Sequence, residues 1–298
     1  MKNYKGEKGL IHFKCNHYSR MINSVLKTGI LIFILCSLNS CKEKEAEIIM
    51  LPNNTVSFTQ KQFNLGKLDN LGSDEFEHDT IDRTKWNICD YKWWTPEPIG
   101  GGSSFFRFEY NNSRINTKYK LLELVTDYDD TIYTAAMIYS KKAYLEGFFE
   151  IRCKLSAGHA THPAFWLFGG FSNQSTYNEI DIMESTNLLP DSFQNFVTNY
   201  HIDNNDSNIN YQIYPDYIVE NNKFNETFHT FSLKLTKSEI VWYWNNVEIR
   251  REINSLRGTP MQIMITGAWT GCCPPDELHP PTLPGIFEID YIRTFYLD

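Results

Sequence analysis

The chain has 298 residues, with 28 Lys and Arg against 36 Asp and Glu, a formal net charge of −8 at pH 7. That balance argues against a nucleic-acid binder, which carries a basic excess, and 42% hydrophobic with only 21% charged residues excludes wholesale disorder. Seven Trp, 17 Tyr and 20 Phe, with no long amphipathic helical pattern, point to an all-β protein.

Residues 1–41 read as an N-terminal extension and export signal. The first 20 are polar and basic, and Met21 offers a later start that gives the signal a more ordinary length. The apolar run from Gly29 to Leu38 is too short to span a bilayer, which takes about 20 residues. It suits a signal-peptide core with Lys27 as its positive flank. It ends in Leu38-Asn39-Ser40-Cys41, which resembles the lipobox of bacterial lipoproteins. The resemblance implies cleavage before Cys41, a lipid on its sulfur, and an extracytoplasmic chain anchored to the outer membrane. The membrane is expected as a partner only through that lipid. Residues 42–60 read as a linker, and 61–298 as one domain. Cys89, Cys153, Cys272 and Cys273 would remain in the mature chain, with three possible pairings.

Strand patterns recur at 104–110, 120–125, 134–139, 147–155, 164–168, 179–184, 196–201, 230–235, 239–244, 262–266 and 286–293. Asn, Asp, Gly and Ser separate them, as in a β-sandwich or barrel. Trp244-Asn245-Asn246-Val247 reads as a two-residue hairpin turn, because Asn tolerates positive φ.

The most informative segment is Asn178-Glu179-Ile180-Asp181-Ile182-Met183-Glu184-Ser185. Ionised carboxylates are costly to bury unless paired or functional, so three acids in an apolar strand need a reason. Glu179 and Asp181 are two apart and share a face, with Ile180 and Ile182 opposite. Glu184 would fall on the wrong face of a regular strand. One extra residue, a β-bulge around Ile182-Met183, returns it to the side of the other acids. Two carboxyls that converge suit retaining glycoside hydrolysis, one as nucleophile and one as acid/base. No His or Cys spacing of a metal site is present, and Asp203-Asn204-Asn205-Asp206 reads as a solvated turn.

Glu179-Ile-Asp-Ile-Met-Glu184 resembles the E-x-D-x-x-E signature of glycoside hydrolase family 16, the laminarinase, agarase and carrageenase group. Tyr144–Arg152, Pro163–Phe168, Phe228–Ser232 and Phe287–Arg293 resemble four further strands of that family, in order and spacing, over roughly residues 75–298. The resemblance implies a β-jelly-roll of two stacked curved sheets with a substrate cleft on the concave face. It makes Glu179 the nucleophile, Asp181 the helper acid and Glu184 the general acid/base. Trp166 and His201 match cleft residues, and Trp94 and Trp269 are expected to add aromatic surface for a sugar. The expected protein is therefore a monomeric retaining endo-β-glycosidase needing no cofactor, with a structural calcium ion left open. Its partner would be a β-1,3- or mixed-linkage glucan or an algal galactan. If the substrate is sulfated, Lys92, Arg107 and Arg114 could read the sulfate. The rival readings are a non-catalytic glycan-binding module on the same scaffold and a transglycosylase.

Overall fold

A computed structural model describes residues 49–51, 60–90, 106–169, 178–185, 195–203, 209–212, 217–219, 224–256, 258–269 and 280–298. Almost all regular structure in these residues is β. One sheet, the front, is built from β3 (Trp86–Ile88), β7 (Tyr133–Tyr144), β9 (Thr161–Phe168), β10 (Asn178–Glu184), β11 (Asn195–Asp203), β12 (Ile209–Gln212) and β17 (Met261–Trp269). Their order is β3-β7-β17-β9-β10-β11-β12, every pair antiparallel. Two further strands, β1 (Ile49–Leu51) and β13 (Tyr217–Val219), pair in parallel beside the start of β11. The strand at 49–51 falls inside the segment expected to be a linker.

The back sheet holds β5 (Ser113–Asn116), β6 (Leu121–Tyr128), β8 (Gly147–Lys154), β14 (His229–Leu235), β15 (Glu239–Trp244), β16 (Val247–Ile253) and β18 (Gly285–Leu297). Its order is β5-β6-β18-β8-β14-β15-β16. The short β2 (Leu65–Leu68) adds to the end of β18. A hairpin between β6 and β7 carries the chain from back sheet to front, and β4 (Phe106–Phe108) lies parallel to β7. This is the jelly-roll that the family resemblance implies, and a sandwich of the kind that the alternating patterns point to.

Period-2 alternation decides which face each residue serves. Phe149, Ile151 and Cys153 of β8 meet Phe165 and Leu167 of β9 and Ile180, Ile182 and Met183 of β10 in one core between the sheets. At Gly267 of β17 the sheets approach closely: a Cβ there would stand 2.9 Å from Leu124 Cβ. On the outer side of the back sheet, α1 (Gln60–Phe63) and β2 cover Phe148, Val241 and Tyr243. This second cluster explains why β15 is buried on both faces and lacks a clean alternation. The hairpin between β15 and β16 has Asn245 at φ 46° and Asn246 at φ 66°, as a primed turn requires.

The sequence patterns place most strands to within a few residues. They miss β1, β2, β3, β5, β12 and β13, which have three or four residues each, and β16, which carries charge on its exposed face. They also assign a strand to 104–110, where β4 runs only over Phe106–Phe108 and Tyr110–Asn112 turn into a single 3₁₀ turn.

Candidate active site

The front sheet's outward face carries the three acids, and the bulge is where the spacing requires it. Against β11, Glu179 pairs with His201 and Asp181 with Asn199, but Glu184 pairs with Val197, so the register breaks between Asp181 and Glu184. Against β9, Asp181 pairs with Trp166 and Met183 with Phe165, so it breaks on that side too. Ile180, Ile182 and Met183 all turn into the core. Two consecutive inward residues are the signature of an inserted position.

A side chain from the opposite sheet holds the bulge. The Trp242 indole Nε1 donates to the Asp181 carbonyl at 2.9 Å. Trp242 is fully buried, with the Arg250 guanidinium 4.2 Å over its ring. Arg250 in turn donates to the Thr198 carbonyl on β11 at 2.8 Å. Back-sheet residues thus fix the backbone of two adjacent front strands at the site.

The carboxyls form a short chain. Asp181 lies in the middle, hydrogen-bonded to both Glu179 and Glu184. His201 Nε2 is 3.0 Å from Asp181 Oδ2 and 4.0 Å from Glu179 Oε1. Glu184 Oε1 lies 3.0 Å from His162 Nε2, and its Oε2 accepts from Asn199 Nδ2 at 3.2 Å. Asp181 is buried, whereas the side chains of Glu179 and Glu184 keep 15% and 19% of their surface open. The two outer acids therefore reach the groove and the central one supports them from below.

Electrostatics separate Asp181 from Glu184. Burial, and then the charge of Glu184, hold the Asp181 carboxyl well above the usual carboxylate range. Burial also works to raise Glu184, but the hydrogen bond and charge of His162, the amide of Asn199 and the charge of His201 outweigh it and bring Glu184 below its ordinary value. Of this pair, Asp181 therefore holds a proton more firmly than Glu184 does. Oxygen and nitrogen atoms of Glu179, Asp181 and His201 lie within 4.8 Å of one another, close enough to share a cation. No fourth ligand joins them among the described residues.

Trp166 stands beside the acids on β9, half-buried, with its Nε1 donating to Thr266 Oγ1 at 2.9 Å. Beyond it the same face carries a buried cluster of Cys89, Met137, Phe168 and Met264. Trp269 does not line the groove as expected. It is 2% exposed, its Nε1 donates to the Thr134 carbonyl, and its ring packs on Tyr133. The reason is that β17 extends to include it, where nearby Pro and Gly suggest a loop. Trp94, Cys41, Cys272, Cys273 and the 204–206 turn lie outside the described residues. Cys89 and Cys153 are free thiols in separate clusters; burial pushes Cys89 up to about 12 and Cys153 well above its usual value. Arg107 is held by Glu109 and Asp129, and Arg114 by Glu123, so both have acidic partners already.

Sequence reasoning missed His162, Asn199 and Trp242. The parity signal was available for two of them. His162 shares its face with Ala164 and Trp166, and Asn199 shares its face with His201. Trp242 acts across the core, and no local pattern announces that.

The model for glycosyl hydrolases family 16 matches residues 103–293. A β-glucanase of Rhodothermus marinus is 25% identical over 253 residues, which is 75% of this chain and 83% of that protein. The laminarinase catalytic domain of Thermotoga maritima MSB8 superposes with a TM-score of 0.62 at 24% identity, covering 78% of this chain and 99% of that one. Porphyranase B of Zobellia galactanivorans gives a TM-score of 0.63 at 18% identity, covering 78% and 93%. A family match over most of the chain, with a jelly-roll and a bulged acid row beneath it, places this protein: it belongs to glycosyl hydrolase family 16.

Proposed function

We propose that this glycosyl hydrolase is a retaining endo-β-glycosidase in which Glu179 is the nucleophile, Glu184 the general acid/base and Asp181 the group that orients them. The observation that carries the reading is the bulge, which sets Glu179 and Glu184 on one face with Asp181 hydrogen-bonded to both. In the first step the Glu184 O–H bond breaks and its proton passes to the glycosidic oxygen. The anomeric carbon leaves that oxygen and bonds to a Glu179 carboxylate oxygen. In the second step water attacks the same carbon, Glu184 takes its proton, and Glu179 departs as a carboxylate. His201 steadies Asp181, so the nucleophile keeps its orientation.

The substrate is a β-linked polysaccharide, either a glucan or a galactan. The β-glucanase relative favours a glucan. So does the engagement of Arg107 and Arg114 with acids, which leaves neither as a dedicated sulfate reader. Trp166 would stack on the sugar beside the cleaved bond. Incubation with laminarin, lichenan, agarose, porphyran and carrageenans, followed by product sizing, tests this. Mixed oligosaccharides from a glucan are expected, and they should vanish with Glu179→Gln. Binding without products from any glycan would favour a capture module instead.

The sequence Leu38-Asn39-Ser40-Cys41 supports export and lipid attachment at Cys41. No helix among the described residues is long and apolar enough to cross a membrane. Mass spectrometry of the exported protein should find a diacylglyceryl-cysteine at position 41, lost in Cys41→Ser. An unmodified, freely soluble mature chain would contradict it.

A further inference from the structure

His162 lies on β9 at the same parity as Ala164 and Trp166, so it opens on the groove beside Glu184. With His162 on Oε1 and Asn199 on Oε2, each oxygen of Glu184 meets a nitrogen. His162 Nδ1 is buried, and no polar atom of the described residues reaches it. A bare lone pair tolerates that better than an N–H does, because an unmade donor bond carries the full desolvation cost. The proton is therefore assigned to Nε2, the nitrogen that faces Glu184.

We propose that His162 is a positioning residue for Glu184, fixing the orientation of the acid/base carboxyl and stabilising its ionised form through the Nε2–H···Oε1 hydrogen bond. This rests on the acid/base reading of Glu184 given above. The physical need is specific. Glu184 is largely withdrawn from solvent beside another carboxyl, and both conditions favour its neutral form. A carboxyl held too firmly neutral would hand its proton to the leaving oxygen reluctantly, and would serve poorly as a base for water in the second step. Donors on both oxygens offset this.

Among the described residues, the groups that bear on Glu184 are few. On β10 there are Glu179 and Asp181; on β11 there are His201 and the neutral Asn199. The Arg250 charge acts on Asp181 from the back sheet. Strand β17, on the far side of β9, sets the non-titrating Ala268 opposite His162 and Thr266 opposite Ala164. Removing His162 therefore leaves Asn199 and Asp181 as the direct partners of Glu184 among the described residues, and burial weighs more heavily.

The test is a side-chain carboxyl NMR titration of protein labelled at Glu Cδ, with Glu184→Gln used to assign the resonance. Wild type, His162→Gln and His162→Leu are compared. Glu184 should titrate about one pH unit higher in the Leu variant. The Gln variant should sit closer to wild type, because its amide can still donate. His162→Asn stands in should the Leu variant not fold. On a cleaved glucan, the basic limb of kcat/KM should move up with the titration. Identical titrations in all three proteins would overturn the proposal. So would a change in KM alone with an unmoved pH profile, which would make His162 a sugar contact. The titration uses no substrate, so a failure to cleave any glycan counts against the hydrolase reading and not against this contact.

Discussion

Two buried carboxyls, one in each sheet, have opposite surroundings. Glu150 on β8 is fully buried, and burial raises its carboxyl. It accepts from the Tyr291 hydroxyl at 2.9 Å and the Ser232 hydroxyl at 3.0 Å, on a strand that pairs with β14 without a break. Asp181 on β10 is as deeply buried, but its neighbours are two more carboxyls and an imidazole, and its strand breaks register on both sides. Burial of an acid is thus not what marks the site. What marks it is crowding with like charge on distorted backbone, an arrangement that costs stability and that only chemistry repays.

Substitutions sharpen this contrast. Glu179→Gln should reduce turnover below detection, since the bond-forming atom is gone, while circular dichroism stays that of wild type. Glu184→Gln should cost about 10²–10⁴-fold in kcat, the range of a lost general acid/base. Trp242→Phe keeps the ring but leaves the Asp181 carbonyl without its donor. A loss of about 1–3 kcal/mol in stability is expected, with kcat falling further than KM rises; unchanged kinetics would mean that the bulge holds itself. Asp181→Asn should do the reverse to stability. The folded-state value of Asp181 lies above its unfolded one, so its contribution favours folding at acid pH and is lost as the pH climbs through the raised value. At neutral pH the Asn variant should therefore melt higher, at about 2–4 °C per kcal/mol for a chain of this size, and the advantage should shrink near pH 4. Calorimetry at the two pH values checks it. Glu150→Gln should leave activity within about twofold, because neither of its partners faces the groove. A large loss there would erase the distinction between the two acids.

Much of this was legible in the chain. The acid row at odd spacing demanded a bulge, because period-2 geometry leaves Glu184 on the wrong face otherwise, and the bulge lies between Asp181 and Glu184. The strands of the sandwich followed from aromatic alternation, and the Asn245-Asn246 turn from the tolerance of Asn for positive φ. What could not be read were contacts made across the core or between distant strands. Trp242 is 61 positions from the carbonyl that it supports. Trp269 looked like a loop residue because Gly271, Pro274 and Pro275 follow closely, yet β17 runs through it and Thr134 takes its N–H. His162 looked unremarkable because its meaning depends on which strand pairs with β9, and local sequence does not say that β10 does.

The most direct test is the anomeric configuration of the first product, followed by proton NMR within minutes of adding enzyme to a β-glucan. Two displacements at one carbon, through Glu179 and then water, predict that the β-anomer forms first and mutarotates slowly toward the α/β mixture. An α-anomer as the initial product would mean a single displacement by water, and the assignment of Glu179 as nucleophile would fall.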